Sequence, residues 1–184
     1  MRAAQMHQKK QMDIAIIRGA SGDEVTASSI AREAAEWLIQ SGKALWEPRD
    51  IAPEFFLPHI DAGELYLASI QGKPVGMMIL QSEDTLVWPD VPAGTSAFLH
   101  RLAVRRSAAG KGVSMALINH AKAVAIDAGR KYLRLDCVTR PRLCAFYESA
   151  GFIRQGIKQI RIDARVFQIA RYEMRLENLD EARE

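Results

Sequence analysis

The chain has 184 residues, 48% of them hydrophobic, two cysteines and a formal net charge of +3. That length fits one domain with a sizeable core, and the scattered positive charge excludes the dense basic stripe of a nucleic-acid binder. Cys137 and Cys144 are too few for a zinc site, no apolar run reaches membrane-spanning length and the N-terminus is polar, so no metal, free thiols, no membrane and a cytoplasmic location are expected.

Residues 1–12 are polar and read as a mobile tail. Residues 13–18 alternate weakly around Ile14, Ile16 and Ile17 and predict a strand. Residues 25–40 predict a helix with Ile30, Ala34, Trp37 and Leu38 on one face, stopped by Ser41-Gly42. Residues 46–58 carry three prolines around Phe55-Phe56-Leu57 and read as a short helix or structured loop. Residues 64–70 and 75–81 flank the turn Gln71-Gly72-Lys73-Pro74 and predict a hairpin. A loop follows over 82–95.

Residues 96–104 predict a strand with Phe98, His100, Leu102 and Val104 on one face. The next segment, from Arg105 to Ser114, contains Gly110-Lys111-Gly112 and sits where that strand hands over to a helix. A main-chain turn at a helix N-terminus presents free N–H groups and the positive end of the helix dipole, a combination that holds phosphate. A plain structural turn has the same sequence. Neither the Walker spacing nor the dinucleotide glycine fingerprint is present.

The helix over 113–129 carries Leu117, Ile118, Ala121, Val124 and Ala125 at helical spacing, with His120 turned to solvent, and ends at Gly129. Residues 132–138 predict a strand, and Pro141 opens a short helix ended by Gly151. Residues 152–161 and 165–176 predict two closing strands around a turn at Asp163-Ala164, and 177–184 form a polar tail. Residues 13–176 are expected to form one domain.

From Ser96 to Gly156 the order resembles the GNAT family of acetyl-CoA-dependent N-acetyltransferases. The matching residues are Leu102-Ala103-Val104, the glycine loop, Leu133-Arg134-Leu135-Asp136, Arg140-Pro141-Arg142-Leu143, and Phe146-Tyr147 through Gly151-Phe152. The resemblance implies an α/β (α+β) fold: a mixed, mostly antiparallel sheet of about seven strands with helices on both faces. It also implies acetyl-CoA as co-substrate and an amine as acceptor. The expected function is acetyl transfer to a primary amine of a small molecule or amino-acid-like acceptor by direct attack. Alternatives are a protein N-terminal or lysine acetyltransferase and a non-catalytic acyl-CoA sensor. The family often dimerises through its closing strands, so a homodimer is a further expectation.

Site residues follow from the same resemblance. The CoA-binding set is Leu102, Ala103, Val104, Ala109, Gly110, Lys111, Gly112, Val113, Ser114, Arg140 and Tyr147. The family's loop pattern falls on Ala109, Gly112 and Ser114, with Ala109 replacing an Arg or Gln. Arg105, Arg106 or Lys111 could supply the missing charge. Arg140 stands at the family's Asn position. The catalytic set is Tyr147, as acid for the leaving thiolate, Leu102, whose N–H faces the thioester carbonyl, and His100, as base. His100 is similar to the second His of the His-x-His segment in arylalkylamine N-acetyltransferases, with Phe98 replacing the first. Trp46, Phe55, Phe56 and Trp88 are candidate acceptor walls, and Glu47, Glu54, Asp84 and Asp90 candidate attractors of a cationic amine. Cys137 and Cys144 are assigned to packing.

Overall fold

Seven strands form one sheet in the order β1-β2-β3-β4-β5-β7-β6. They are β1 (Ile14–Arg18), β2 (Leu65–Ile70), β3 (Lys73–Gln81), β4 (Ser96–Val104), β5 (Tyr132–Val138), β6 (Ile153–Ile162) and β7 (Arg165–Arg175). Four helices accompany them: α1 (Asp23–Gln40), α2 (Pro53–Asp61), α3 (Val113–Asp127) and α4 (Pro141–Ser149). The computed structural model describes residues 13–43, 45–162 and 165–176; both expected tails and the Asp163-Ala164 turn lie outside the described residues. Among the described residues no helix is long and apolar enough to cross a membrane.

Strand pairs are antiparallel except β4 with β5. Parallel neighbours need a crossover, and α3 supplies it. The sheet is therefore covered on both faces, and the strands alternate between two apolar layers. Leu65, Leu67, Met77 and Ile79 pack under α1 and α2 with Ile30, Ala31 and Phe56. Tyr66, Ala68, Met78 and Leu80 face the other way, onto Leu117, Ile118 and Ala121 of α3.

In α1, Ala27, Ser28, Ile30, Ala31 and Ala35 are the buried residues. Trp37, expected on that face, is 38% exposed, and the Arg106 guanidinium stacks 4.3 Å from its ring centroid. The segment over 46–58 resolves into a 3-10 turn (Pro48–Ile51) and α2, each opened by a proline where the missing N–H costs nothing. His120 does not project into solvent alone. Its ring lies edge-on to Tyr66 at 5.1 Å, and burial lowers its pKa.

One glycine fixes how close α3 comes to the sheet. A Cβ on Gly76 of β3 would sit 2.7 Å from Val113 Cγ1, so only a glycine lets the first turn of α3 rest on β3. The helix N-terminus is thereby held at the end of β4.

Candidate active site

The site grows out of two irregularities in β4. The first is a divergence. β4 and β5 pair only from Ser96↔Tyr132 to Leu99↔Leu135. Beyond Leu99 the two strands separate, so His100 to Val104 have no strand partner on that side. The second is a bulge against β3. Ile79 pairs with His100 and Met77 with Ala103, so Arg101 and Leu102 together oppose Met78. Arg101 takes φ 52, a left-handed conformation uncommon for a non-glycine residue.

The bulge changes the strand's phase. Before it, Ala97 and Leu99 face α3; after it, Leu102 and Val104 do, while Ala103 faces α1. Phe98 packs on the opposite layer, with Val87, Trp88, Ile160 and Ile169. The expected single face of Phe98, His100, Leu102 and Val104 is therefore split, because a bulge shifts the two-residue period by one.

A cavity of about 630 Å³ opens at the divergence. Six of the expected site residues meet there: His100, Leu102, Ala103 and Val104 from β4, and Arg140 and Tyr147 from the start and second turn of α4. Ala109, Gly110, Lys111, Gly112, Val113 and Ser114 are not in its wall. They lie just past Val104, where Gly112 (φ 82) is the N-cap of α3 and no side chain caps the helix. Among the described residues, no main-chain acceptor is recorded for the N–H groups of Gly110, Gly112, Val113 or Ser114. That open row of donors at the positive end of a 15-residue helix fits a phosphorylated ligand.

Charge around the loop differs from expectation. Arg105 is committed to structure: it donates to Glu33 at 2.8 Å, to Ser29 Oγ at 3.0 Å and to the Pro74 carbonyl at 3.1 Å. Glu33 also accepts from the Arg106 N–H at 2.8 Å, and these bonds hold its carboxyl below the usual range. Arg106 reaches the cavity wall, and Lys111 is exposed. Arg140 lines the cavity while donating to the Lys43 carbonyl at 2.8 Å.

On the acceptor side, Trp46 and Asp84 line the cavity. Phe56 is fully buried under α1, and Trp88 packs on Phe98 instead. Glu47 pairs with Arg165, and Asp90 pairs with Arg171 at 2.9 Å, which takes both out of the acceptor site. Glu54 is exposed on α2 and not part of the wall.

Three titratable groups gather at the divergence. The ligating atoms of Asp84, His100 and Asp136 all lie within 4.8 Å of one another. That spacing suits one shared cation, whether a metal ion or an ammonium group. Burial lowers the His100 pKa, the Asp84 charge opposes that shift, and Arg101 and His59 reinforce it. Burial and the neighbouring Asp84 charge push Asp136 up to about 6. Tyr147 packs between Phe146, Phe152 and Tyr172, and burial raises its pKa, so its hydroxyl keeps its proton. Cys137 and Cys144 are free and buried, with burial pushing the Cys137 thiol up to about 12. A thiol so held is a packing group and a poor nucleophile.

Asp136 and Arg101 are the residues that sequence reasoning left without a role. Asp136 had a signal: it is the one acid on β5, between the buried Leu135 and Cys137. Arg101 had none, because its direction is set by the bulge.

A sheet split between two parallel neighbours, with a free helix N-terminus at the end of the diverging strand, defines an acyltransferase class of fold and site. The chain belongs to the Acetyltransferase (GNAT) family, whose model matches residues 31–152. It is an acetyl-CoA-dependent acyltransferase of that family. No curated protein matches it. Among solved structures, it is similar to a GNAT-family acetyltransferase from Listeria monocytogenes 4b F2365. The TM-score is 0.73 at 24% identity, covering 90% of this chain and 96% of that one. It is also similar to yncA from Salmonella typhimurium, whose structure contains its cofactor acetyl-CoA, with TM-score 0.69, 14% identity and coverage of 90% and 95%. A third is PaiA N-acetyltransferase from Thermoplasma acidophilum in complex with coenzyme A, with TM-score 0.65, 19% identity and coverage of 89% and 99%. At these identities the likeness is one of fold.

Proposed function

We propose that this protein transfers an acetyl group from acetyl-CoA to a primary amine of a small-molecule or amino-acid-like acceptor. The observation that carries this reading is the Asp84, His100 and Asp136 cluster in a cavity of about 630 Å³ at the β4–β5 divergence. A cavity of that size suits a small acceptor, and two carboxylates within 4.8 Å of the imidazole attract an ammonium group.

In this reading the amides of Gly110, Gly112, Val113 and Ser114 hold the phosphates of CoA, with Arg106 adding charge, and Val104 and Ala103 pair with its extended arm. Acetyl-CoA supplies the activated thioester. Neutral His100 takes a proton from the acceptor ammonium, and Asp84 stabilises the imidazolium that results. The Leu102 N–H donates to the carbonyl oxygen as negative charge gathers on it. The carbon–nitrogen bond forms, the carbon–sulfur bond breaks, the Tyr147 hydroxyl gives its proton to the departing sulfur, and the tyrosinate recovers a proton from the nitrogen, which is left as a neutral amide. Both substrates are held together, so no covalent enzyme intermediate is needed.

A homodimer and a cytoplasmic location belong to the same reading. β6 is an edge strand, and Ile153, Ile157 and Val166 beside it are 68%, 60% and 48% exposed, which supports pairing with a second copy. The test of function is CoA thiol release across a panel of amines, amino acids and peptides. Release with a small-molecule or amino-acid-like acceptor is expected. Release with peptides alone would move the acceptor to protein N-termini or lysines, and none above hydrolysis would overturn the reading.

A further inference from the structure

Five arginines near the sheet have carboxylate partners: Arg105, Arg134, Arg154, Arg165 and Arg171 each form an ion pair with Asp or Glu. Arg101 forms none among the described residues. Its guanidinium is clamped between rings, 5.3 Å from the Trp46 centroid and 4.8 Å from that of Phe55. Nη1 is buried and has no hydrogen-bond partner. Asp50 and Asp136 act on it only as charges at longer range, and burial lowers its pKa.

A half-buried cation whose Nη1 is shut away from water without a partner is destabilising. Here the chain adds strain to that cost, because the bulge holds Arg101 at φ 52. A left-handed conformation is unfavourable for a residue with a Cβ. Aromatic faces hold the plane of a guanidinium but leave its N–H edge free. That edge is matched by a planar anion able to accept two parallel hydrogen bonds. Arg101 and Trp46 line the same cavity as Asp84, His100 and Asp136. The cavity wall therefore has a cationic group adjacent in sequence to an anionic, basic cluster.

We propose that Arg101 is the anion receptor of the acceptor subsite, and that the acceptor is a zwitterion. Its carboxylate binds the Arg101 guanidinium and its ammonium binds between Asp84 and Asp136. The acceptor class is then free α-amino acids and close analogues, not simple amines or lysine side chains. This inference rests on the acetyl-transfer reading for its catalytic consequence, though not for binding itself.

The test compares kcat/KM for the twenty standard amino acids with their α-carboxamides, which keep the amine and lose the anion. The wild type is expected to prefer the best acid over its amide by at least ten-fold. Arg101→Met should bring that ratio to about one, and Arg101→Lys should restore part of it. CoA affinity by calorimetry establishes that each variant is folded; should Arg101→Met fail to fold, the wild-type ratio and Arg101→Lys decide. Equal use of acid and amide by the wild type, or an undiminished ratio in Arg101→Met, overturns the assignment. If no acceptor releases CoA, acetyl transfer has failed, and the anion site is judged by tryptophan fluorescence of the CoA complex titrated with the same amino acids. Saturation that is lost in Arg101→Met supports it, and absence of saturation in the wild type overturns it.

Discussion

His100 Nε2 lies 3.8 Å from Asp84 Oδ2, both atoms are buried, and neither has a hydrogen-bond partner. The gap is too long for a hydrogen bond. It leaves two unsatisfied polar atoms facing each other, one able to accept a proton and one able to stabilise the cation formed. Asp136 stands within 4.8 Å of both, and the Asp84 charge acts on His100 and on Asp136 alike.

The first prediction concerns pH. A base must be unprotonated to act, so kcat/KM rises with pH through its pKa. The Asp84 charge raises both His100 and Asp136. Asp84→Asn removes that charge, lowers both, and should move the acid limb of the profile to lower pH. The weaker base should also lower the plateau. His59, Glu64 and Arg101 also act on His100 and are unchanged by the substitution. An acid limb that stays in place would remove Asp84 from the proton path.

Asp136 should trade stability for activity. Its pKa is raised from 3.8 to about 6 by burial and by Asp84, so ionising it is harder in the folded state than in the unfolded. The folded state holds more protons between those values, and stability therefore falls as pH rises through that window. Asp136→Asn should be more stable than wild type at pH 8 by about 1–2 kcal/mol, after allowance for partial exposure. The advantage should vanish near pH 4. Thermal melts at the two pH values give the comparison, and thiol release gives the expected loss of activity.

Tyr147 offers a cleaner separation of binding from chemistry. Burial raises its pKa, so it stays a proton donor across the working range. Tyr147→Phe keeps the ring that packs on Phe152 and Tyr172 and deletes only the hydroxyl. Turnover should fall roughly ten- to hundred-fold, within the span of a lost general acid, with little change in CoA affinity. Equal turnover would assign the residue to packing.

The fold was legible where punctuation and periodicity agree. Gly112, Gly129, Pro141 and Gly151 bracket α3, β5 and α4, and the strands on either side follow from them. The phase of β4 was not legible: Ser96–Val104 contains no glycine or proline, and the bulge arises from its pairing with Met77 and Ile79 across the sheet. The same cause hid Arg101. The commitment of Arg105 to structure was not legible for a related reason, since its partner Glu33 is 72 residues away in sequence. That His100, Leu102 and Tyr147 line the cavity was legible because each sits at a motif position. Asp84 comes from an irregular loop and became part of a cluster only through tertiary packing.

The proposed role of the loop before α3 in holding phosphate can be tested apart from the chemistry. Gly112 adopts φ 82, and an added Cβ there meets no atom within 4 Å, so substitution is resisted by backbone strain and not by crowding. That strain costs about 1–2 kcal/mol for an ordinary side chain and less for Asn or Asp, which tolerate the left-handed region. Gly112→Asn and Gly112→Asp thus carry similar strain, and only the second brings a negative charge to the amides at the start of α3. If those amides hold the CoA phosphates, Gly112→Asp should raise the CoA Kd at least ten-fold above that of Gly112→Asn, with the gap narrowing in high salt. Equal affinities, with thermal midpoints matched, would place the phosphates away from the N-terminus of α3.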